Sequence, residues 1–457
     1  SSHLGPRPRL GPLPRPPAGS AAPRMPPAKG RRVFVVGVGM TRFCKPSKAF
    51  NPKEPDYPDF AKVAVQRALD DACVSYKDIE AAAVGSLNQT NCKGQRCLYE
   101  MGMDGIPIHN VANACATGSN ALYLARSFVA GGMNEITLAL GVEKMAPGPL
   151  GGGGGGARGA TSLDGHFKAM LSKFELGKAP PMPWMFGNAA REHMSLHGSK
   201  PEHFSWVGWK NHKHSVNNPY SQFREEYTEE QVKQAPMIYE PLTKLQCSPT
   251  SDGAAAAVLM SEDMVKKLGL QGQAVEIIGQ HMATDMRSAF VGGQGDTCIN
   301  AVGAEMCAAA AQAVYQQTGL GPNDVQVIEL HDCFSANEII TYEGLGLAKK
   351  GEGHKLAEAK ATTYGGKWVV NPSGGLISKG HPIGATGIAQ CCELNWQLRG
   401  EAGPRQVKDA KVALQHNLGL GGAVVVTMYQ RPEEWRSAPP KRARSLAVDP
   451  PVAMSKL

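Results

Sequence analysis

The 457-residue sequence has no apolar run of about 18 residues, so no segment is long enough to cross a bilayer as a helix. It has no Cys-x-x-Cys pair, and its 11 cysteines are odd in number, which argues against a disulfide framework and for a reducing compartment. Cys92 and Cys97 lack a second pair at zinc spacing, and Cys391 and Cys392 are adjacent on an expected helix. These four read as packing or surface residues, and no metal is expected. Acid is missing from residues 1–32, which hold seven Arg or Lys, while residues 431–457 hold six basic residues against three acidic. The net charge of +8 thus divides into +10 at the two ends and −2 in the body, and that body offers no nucleic-acid surface.

What is present is 42% apolar content, enough for two or three packed units. Residues 1–30 are a Pro/Arg-rich extension expected to be disordered and too rich in proline for an amphipathic presequence; Met25 is a candidate natural start. Residues 431–457 read as a flexible tail. It carries a basic cluster from Lys441 to Arg444 and ends in Ser455, Lys456 and Leu457. A terminal Ser-Lys-Leu is an address read by the peroxisomal import receptor, so the peroxisome is the expected compartment. The basic cluster alone has a competing reading as a nuclear signal.

Between the ends, strands alternate with helices, the mark of an α/β layer architecture. Val33 to Val38 is a continuous apolar run suited to a buried strand, and Pro58 to Val74 an amphipathic helix. Strands are expected at Asp78–Val84, at Ile106–Ala112 (short and buried) and at Glu135–Gly141, with a helix ending at Gly131-Gly132 before the last. Much the same order returns as helix Ala304–Thr318, strand Asp324–Leu330, helix Gly384–Leu398 and strand Lys411–Gln415. Ala116-Thr-Gly118 opens one helix and Ala385-Thr-Gly387 the other, which points to an internal duplication whose equivalent loops converge on one site. The halves are expected at 31–290 and 291–430. The first contains an inserted loop region at about 147–245, read as a substrate cover, with a glycine run from Gly151 to Gly156.

Chemistry concentrates in four segments. Asn113-Ala-Cys-Ala-Thr-Gly118 places Cys115 where a turn meets a helix, a setting in which amides and dipole favour thiolate. On this stretch alone a buried structural cysteine is an equal reading. His331-Asp-Cys-Phe334 follows a strand, so His331 and Cys333 sit where open α/β sheets place ligands. His381 lies among glycines before a helix, and His416-Asn-Leu-Gly-Leu-Gly-Gly422 follows what reads as the last strand, with amides free to face an oxyanion.

With these segments the chain resembles the thiolases from about Val33 to Gln430. The specific strings are Asn113 to Gly118, Met185 to Met194, Lys210-Asn-His-Lys-His-Ser-Val-Asn-Asn-Pro-Tyr220, His331 to Phe334, and Asn371-Pro-Ser-Gly-Gly-Leu-Ile-Ser-Lys-Gly-His381. Thiolases generally have Asn-Glu-Ala-Phe at His331–Phe334 and a second catalytic cysteine in a Cys-x-Gly loop at His416. The chain shares both departures with one subfamily, in which Cys333 is implied to replace the missing cysteine.

The resemblance implies a five-layered α-β-α-β-α fold, a homodimer, and no cofactor beyond CoA as a substrate. It also implies 3-oxoacyl-CoA cleavage with Cys115 as nucleophile, His381 as its base, His331 at the oxyanion and Cys333 as acid and base. The Cys115 and Gly419 amides are implied to form a second oxyanion hole. Two readings compete: a condensing ketoacyl synthase-like enzyme, which needs Cys115, His331 and His381 but no Cys333, and a non-catalytic acyl-CoA or sterol-binding protein.

Overall fold

The computed structural model describes residues 30–46, 54–87, 91–148, 162–290 and 297–441. The glycine run Gly151–Gly156, nearly all of the N-terminal extension and the terminal Ser455–Leu457 lie outside the described residues. No helix among the described residues is long and apolar enough to cross a membrane.

Ten strands carry the body: β1 Val33–Met40, β2 Ala81–Gly85, β3 Ile108–Val111, β4 Ile136–Glu143, β5 Gly253–Ser261, β6 Val275–Ala283, β7 Val327–Glu329, β8 Val369–Val370, β9 Val412–Gly419 and β10 Ala423–Gln430. Their order across the sheet is β8-β7-β9-β10-β6-β1-β5-β4-β2-β3. The first five strands are ordered β3-β2-β4-β5-β1 and the second five β8-β7-β9-β10-β6, the same arrangement displaced by five. The directions repeat as well: β2 is parallel to β3 and β4, as β7 is to β8 and β9, and the remaining neighbours within each half are antiparallel. Among the described residues the two five-stranded units are linked as strands by only two residue pairs, Phe34 with Glu276 and Val35 with Val275. The duplication read from the Ala-Thr-Gly echoes is therefore a repeated five-stranded sheet.

Helices fill the layers between and outside these sheets. Helix α1 (Tyr57–Ala72) starts on Asp56, whose side chain caps it in a box with Asp59, and lays Phe60, Ala61, Ala64, Val65 and Ala68 on the apolar face of β1, β4 and β5. Helices α2 (Thr117–Ala130) and α7 (Thr386–Arg399) pack on each other and on strands of both halves. All 14 residues of α7 are buried, as a helix enclosed on every side must be. Helix α5 (Ala304–Thr318) covers β6 and β10 with Met306, Ala310, Ala311 and Val314. The layers run α1, first sheet, α2 with α7, second sheet, α5. The helix starts meet where the echoes fall: a Cβ on Gly118 would lie 3.0 Å from the Gly387 nitrogen and 2.7 Å from the Gly384 oxygen. Only glycine permits that approach.

Three local expectations are corrected. The strand expected to be buried at Ile106–Ala112 is β3, which pairs only with β2, and its His109 and Asn110 are exposed. An apolar run there marks an edge with half-buried ends. His416 to Gly419 does not follow the last strand; it is the end of β9, and Gly419 faces Ala423 across a hairpin whose turn uses Gly421 and Gly422 at φ +102° and +105°. The region expected to be a loop holds α3 (Pro181–His197) and α4 (Pro201–Ser215). They are buried through Trp184, Phe186, Phe204 and Val207, and their tryptophans and histidines pack rather than fringe a flexible cover. Helix α6 (Ser335–Gly344) lies behind them.

Candidate active site

The turn before α2 is held by short bonds. The Asn113 amide donates to Thr117 Oγ1 at 2.8 Å, Thr117 Oγ1 donates to the Ala114 carbonyl at 2.6 Å, and the Ala116 amide donates to the Asn113 carbonyl at 3.0 Å. Ala114 is driven to φ +45°, a left-handed conformation that a side chain disfavours, and this strain sits directly before Cys115. The end of β9 lies against the same turn. A Cβ on Gly419 would lie 2.9 Å from the Ala116 nitrogen and inside contact with the Asn113 carbonyl.

Cys115 opens on a cavity of about 240 Å³. His331, Cys333 and His381 line it with Cys115, and its walls are otherwise mainly apolar: Leu87, Met182, Phe186, Ile383, Leu418 and Leu420. The structure thus brings together all four side chains singled out from the sequence, and packs Gly419 behind the nucleophile's turn. Cys115 Sγ and one ring nitrogen from each of His331 and His381 lie within 4.8 Å of one another. The two rings meet edge to face at 5.2 Å between centroids.

The hydrogen bonds behind the rings assign their tautomers. Thr386 Oγ1 donates its hydrogen to the Pro382 carbonyl at 3.0 Å, so its 2.7 Å contact with His381 Nδ1 requires Nδ1–H to donate to it. His381 Nε2 then carries the lone pair, buried and without a protein partner. Asn417 Nδ2 donates to His331 Nδ1 at 3.1 Å, so His331 carries its hydrogen on Nε2. One ring is a base and the other a donor. Burial, and then Lys379, pulls His381 down to about 3, and burial with His381 and His416 pulls His331 well below its ordinary range, so both are neutral at pH 7. Behind them His416 Nδ1 accepts from the His331 amide at 3.4 Å, and its Nε2 lies 3.0 Å from Cys307 Sγ.

Both thiols are shifted upward. Helix α2 starts two residues after Cys115, and burial, followed by the Glu143 carboxylate, pushes the thiol up to about 12. Burial thus opposes the thiolate that the helix start alone would favour, and the thiol needs a base, the role the resemblance implies for His381. Burial, Cys115 and Asp332 push Cys333 well above its ordinary range, so it too is a proton donor at rest.

Residues assigned no individual role from the sequence hold these segments in register. Asp332, between His331 and Cys333, accepts from the Leu376 amide at 2.7 Å, the Ile377 amide at 3.3 Å and Asn211 Nδ2 at 2.7 Å. One carboxylate therefore ties the His331–Cys333 segment to the turn leading into His381. Asn211 also donates to Glu338 at 2.8 Å, Glu338 pairs with Lys210, and Asn371 Nδ2 donates to Glu338 at 3.0 Å. Lys210, Asn211 and Asn371, conspicuous as strings in the sequence, form a buried polar scaffold. Glu143 accepts from the Leu87 amide at 2.7 Å and the Gly384 amide at 3.0 Å, joining the two halves beside the cavity. Glu143 carries no sequence signal, because its partners are remote in the chain; Thr386 stands in the Ala385-Thr-Gly387 echo, which marks a helix start but not a partner for His381.

A repeated five-stranded sheet with a strained cysteine turn and two histidines at its centre defines a class. The chain matches "Thiolase, N-terminal domain" over residues 33–263 and "Thiolase C-terminal domain-like" over residues 278–429, and it belongs to the thiolase family. Within the family it is 56% identical over 400 residues to sterol carrier protein 2 of Bos taurus, covering 87% of this chain and 72% of that one. It is 35% identical over 418 residues to the acetyl-CoA acetyltransferase of Methanothermobacter thermautotrophicus, covering 88% of this chain and all of the other. The Ltp2-ChsH2(DUF35) aldolase structure superposes with a TM-score of 0.73 at 22% identity, over 88% of this chain and 98% of that one, a likeness of fold.

Proposed function

We propose that the chain is a 3-oxoacyl-CoA thiolase, an acyltransferase that uses CoA to cleave a 3-oxoacyl-CoA. The products are acetyl-CoA, or propionyl-CoA from a 2-methyl substrate, and a shortened acyl-CoA. The observation that carries the reading is Cys115 Sγ within 4.8 Å of a ring nitrogen of His381 and of His331, with His381 Nε2 buried and without a protein partner.

His381 Nε2 takes the Cys115 proton, and the thiolate attacks the 3-carbonyl carbon. His331 Nε2–H and the protonated His381 donate to the resulting oxyanion, directly or through a water. The C2–C3 bond breaks, its electron pair leaves as the acetyl-CoA enolate, and Cys333 protonates C2. The acyl group is now a thioester on Cys115, its oxygen held by the Cys115 and Gly419 amides. Cys333, left as thiolate, deprotonates the incoming CoA thiol; CoA sulfur attacks the thioester, and Cys115 leaves and regains its proton from His381. Cys333 separates this reading from a condensing ketoacyl synthase-like enzyme, since decarboxylation supplies a carbanion without an acid at this position.

The mainly apolar cavity suits a fatty, branched or sterol-derived acyl chain. The same reading includes a homodimer, favoured by the exposed edge strand β3, and delivery to the peroxisome through Ser455, Lys456 and Leu457. The experiment is to follow short-chain CoA products from straight and 2-methyl-branched 3-oxoacyl-CoAs, with and without CoA. CoA-dependent cleavage supports a thiolase, and cleavage of the branched substrate supports a role in branched-chain or bile-acid side-chain oxidation. Binding without cleavage would favour the acyl-CoA or sterol-binding reading.

A further inference from the structure

The donors that the proposed reaction uses in turn are also a ligand set for a soft divalent cation. One sulfur and two imidazole nitrogens within 4.8 Å of one another need only a small contraction to meet a tetrahedral Zn²⁺, whose bonds run at about 2.0–2.3 Å. Metal-binding histidines are oriented by a partner on their other nitrogen, and His381 already has one: Nδ1–H on Thr386 leaves Nε2 buried, unpartnered and aimed at the cluster. His331 reaches the same state when the Asn417 amide turns and the ring proton leaves Nε2 to solvent while Nδ1 takes one up. The Asn417 Oδ1 atom is buried without a partner; turned toward His331 it accepts from Nδ1–H and frees Nε2 as a ligand. The cavity supplies the fourth, open position.

We infer that Cys115, His331 and His381 form a reversible Zn²⁺ site, and that Zn²⁺ bound there is an inhibitor that holds the protein in an off state. On binding, the Cys115 S–H bond breaks and its proton goes to solvent, while one S–Zn and two N–Zn bonds form with no change of oxidation state. Nucleophile and base are then both occupied, so metal and turnover exclude each other. The site is defined by its donors and is readable by binding, whether or not the thiolase reading holds.

The test uses the full chain free of any polyhistidine tag, titrated with zinc chloride by calorimetry, together with iodoacetamide labelling of Cys115 followed by peptide mass. One Zn²⁺ per chain, slowed alkylation of Cys115 and recovery on adding a chelator are expected. Cys115→Ala and His381→Ala should each weaken binding about 100-fold, while Cys92→Ser, which removes an exposed thiol, should leave it unchanged. Asn417→Asp accepts permanently from His331 Nδ1–H; it should tighten Zn²⁺ about tenfold while slowing cleavage, opposite signs that a merely structural role would not give. Unchanged Zn²⁺ uptake in Cys115→Ala, or Cys115 alkylation unslowed in wild-type protein saturated with Zn²⁺, overturns the inference. The wild-type labelling alone decides it if a variant does not fold.

Discussion

His381 Nδ1 lies 2.7 Å from the hydroxyl oxygen of Thr386, and because that hydroxyl is already spent on the Pro382 carbonyl, the contact selects the tautomer with a lone pair on Nε2. The base is thus set by a residue on the first turn of α7, five positions along the chain. Thr386→Val keeps the shape and removes the acceptor. It should lower kcat by about 10- to 100-fold with little change in KM, because general-base catalysis is worth about 10²–10⁴-fold and the ring retains its place. Steady-state kinetics check this; an unchanged kcat would mean that packing alone fixes the ring.

Gly419→Ala sets a methyl group against the Asn113 carbonyl and the Ala116 nitrogen. Neither is a flexible side chain, so the nucleophile's turn must shift. The expected cost is about 1–3 kcal/mol of stability, the usual range for overpacking, with a larger proportional loss of acylation at Cys115. Urea midpoints and single-turnover rates measured together check both.

Lys210→Met removes the ammonium paired with Glu338 and leaves a carboxylate buried beside Asp332. Breaking a buried pair from one side costs about 3–5 kcal/mol. Lys210→Met/Glu338→Leu removes both charges and should recover part of that loss, which denaturant unfolding of the two variants would reveal.

Acid should destabilise the protein through its buried histidines. Burial lowers His381, His214 and His416 to about 3 and His212 to about 4, against about 6.5 when unfolded. Between these values the unfolded chain binds more protons than the folded one, so stability rises with pH. The contribution is fully present above about 6.5 and is lost as pH falls toward 4 and then 3. Each group adds up to about 1.4 kcal/mol per pH unit in that window. Urea midpoints falling steeply from pH 7 to pH 5 are expected; a flat profile would mean that these rings are hydrated and titrate normally.

The repeated order of elements was legible because each half keeps its own apolar runs, and because the Ala-Thr-Gly echoes mark a contact, Gly118 on Gly387, that tolerates no other residue. Cys115, His331, Cys333 and His381 were legible as residues at element ends. What could not be read depended on neighbours remote in sequence. The exposure of β3 follows from its place at the sheet edge, and the pairing of His416–Gly419 depends on a turn at Gly421 and Gly422. The helices within 147–245 bury aromatic and histidine side chains that look like loop residues when seen one at a time. The resting state of Cys115 is not legible from its helix start for the same reason: enclosure and Glu143 push the thiol up.

The most direct test of the central claim is intact-mass analysis of the protein mixed with a 3-oxoacyl-CoA in the absence of free CoA. The account predicts one shortened acyl group per chain, located on Cys115 and absent from Cys115→Ala, formed together with one equivalent of acetyl-CoA, and discharged only when CoA is added. Cys333→Ala should form the adduct at least about 100-fold more slowly, since the enolate lacks its acid. Wild-type protein that binds the substrate but acquires no mass at Cys115, or a Cys333→Ala variant that cleaves at the wild-type rate, would contradict it.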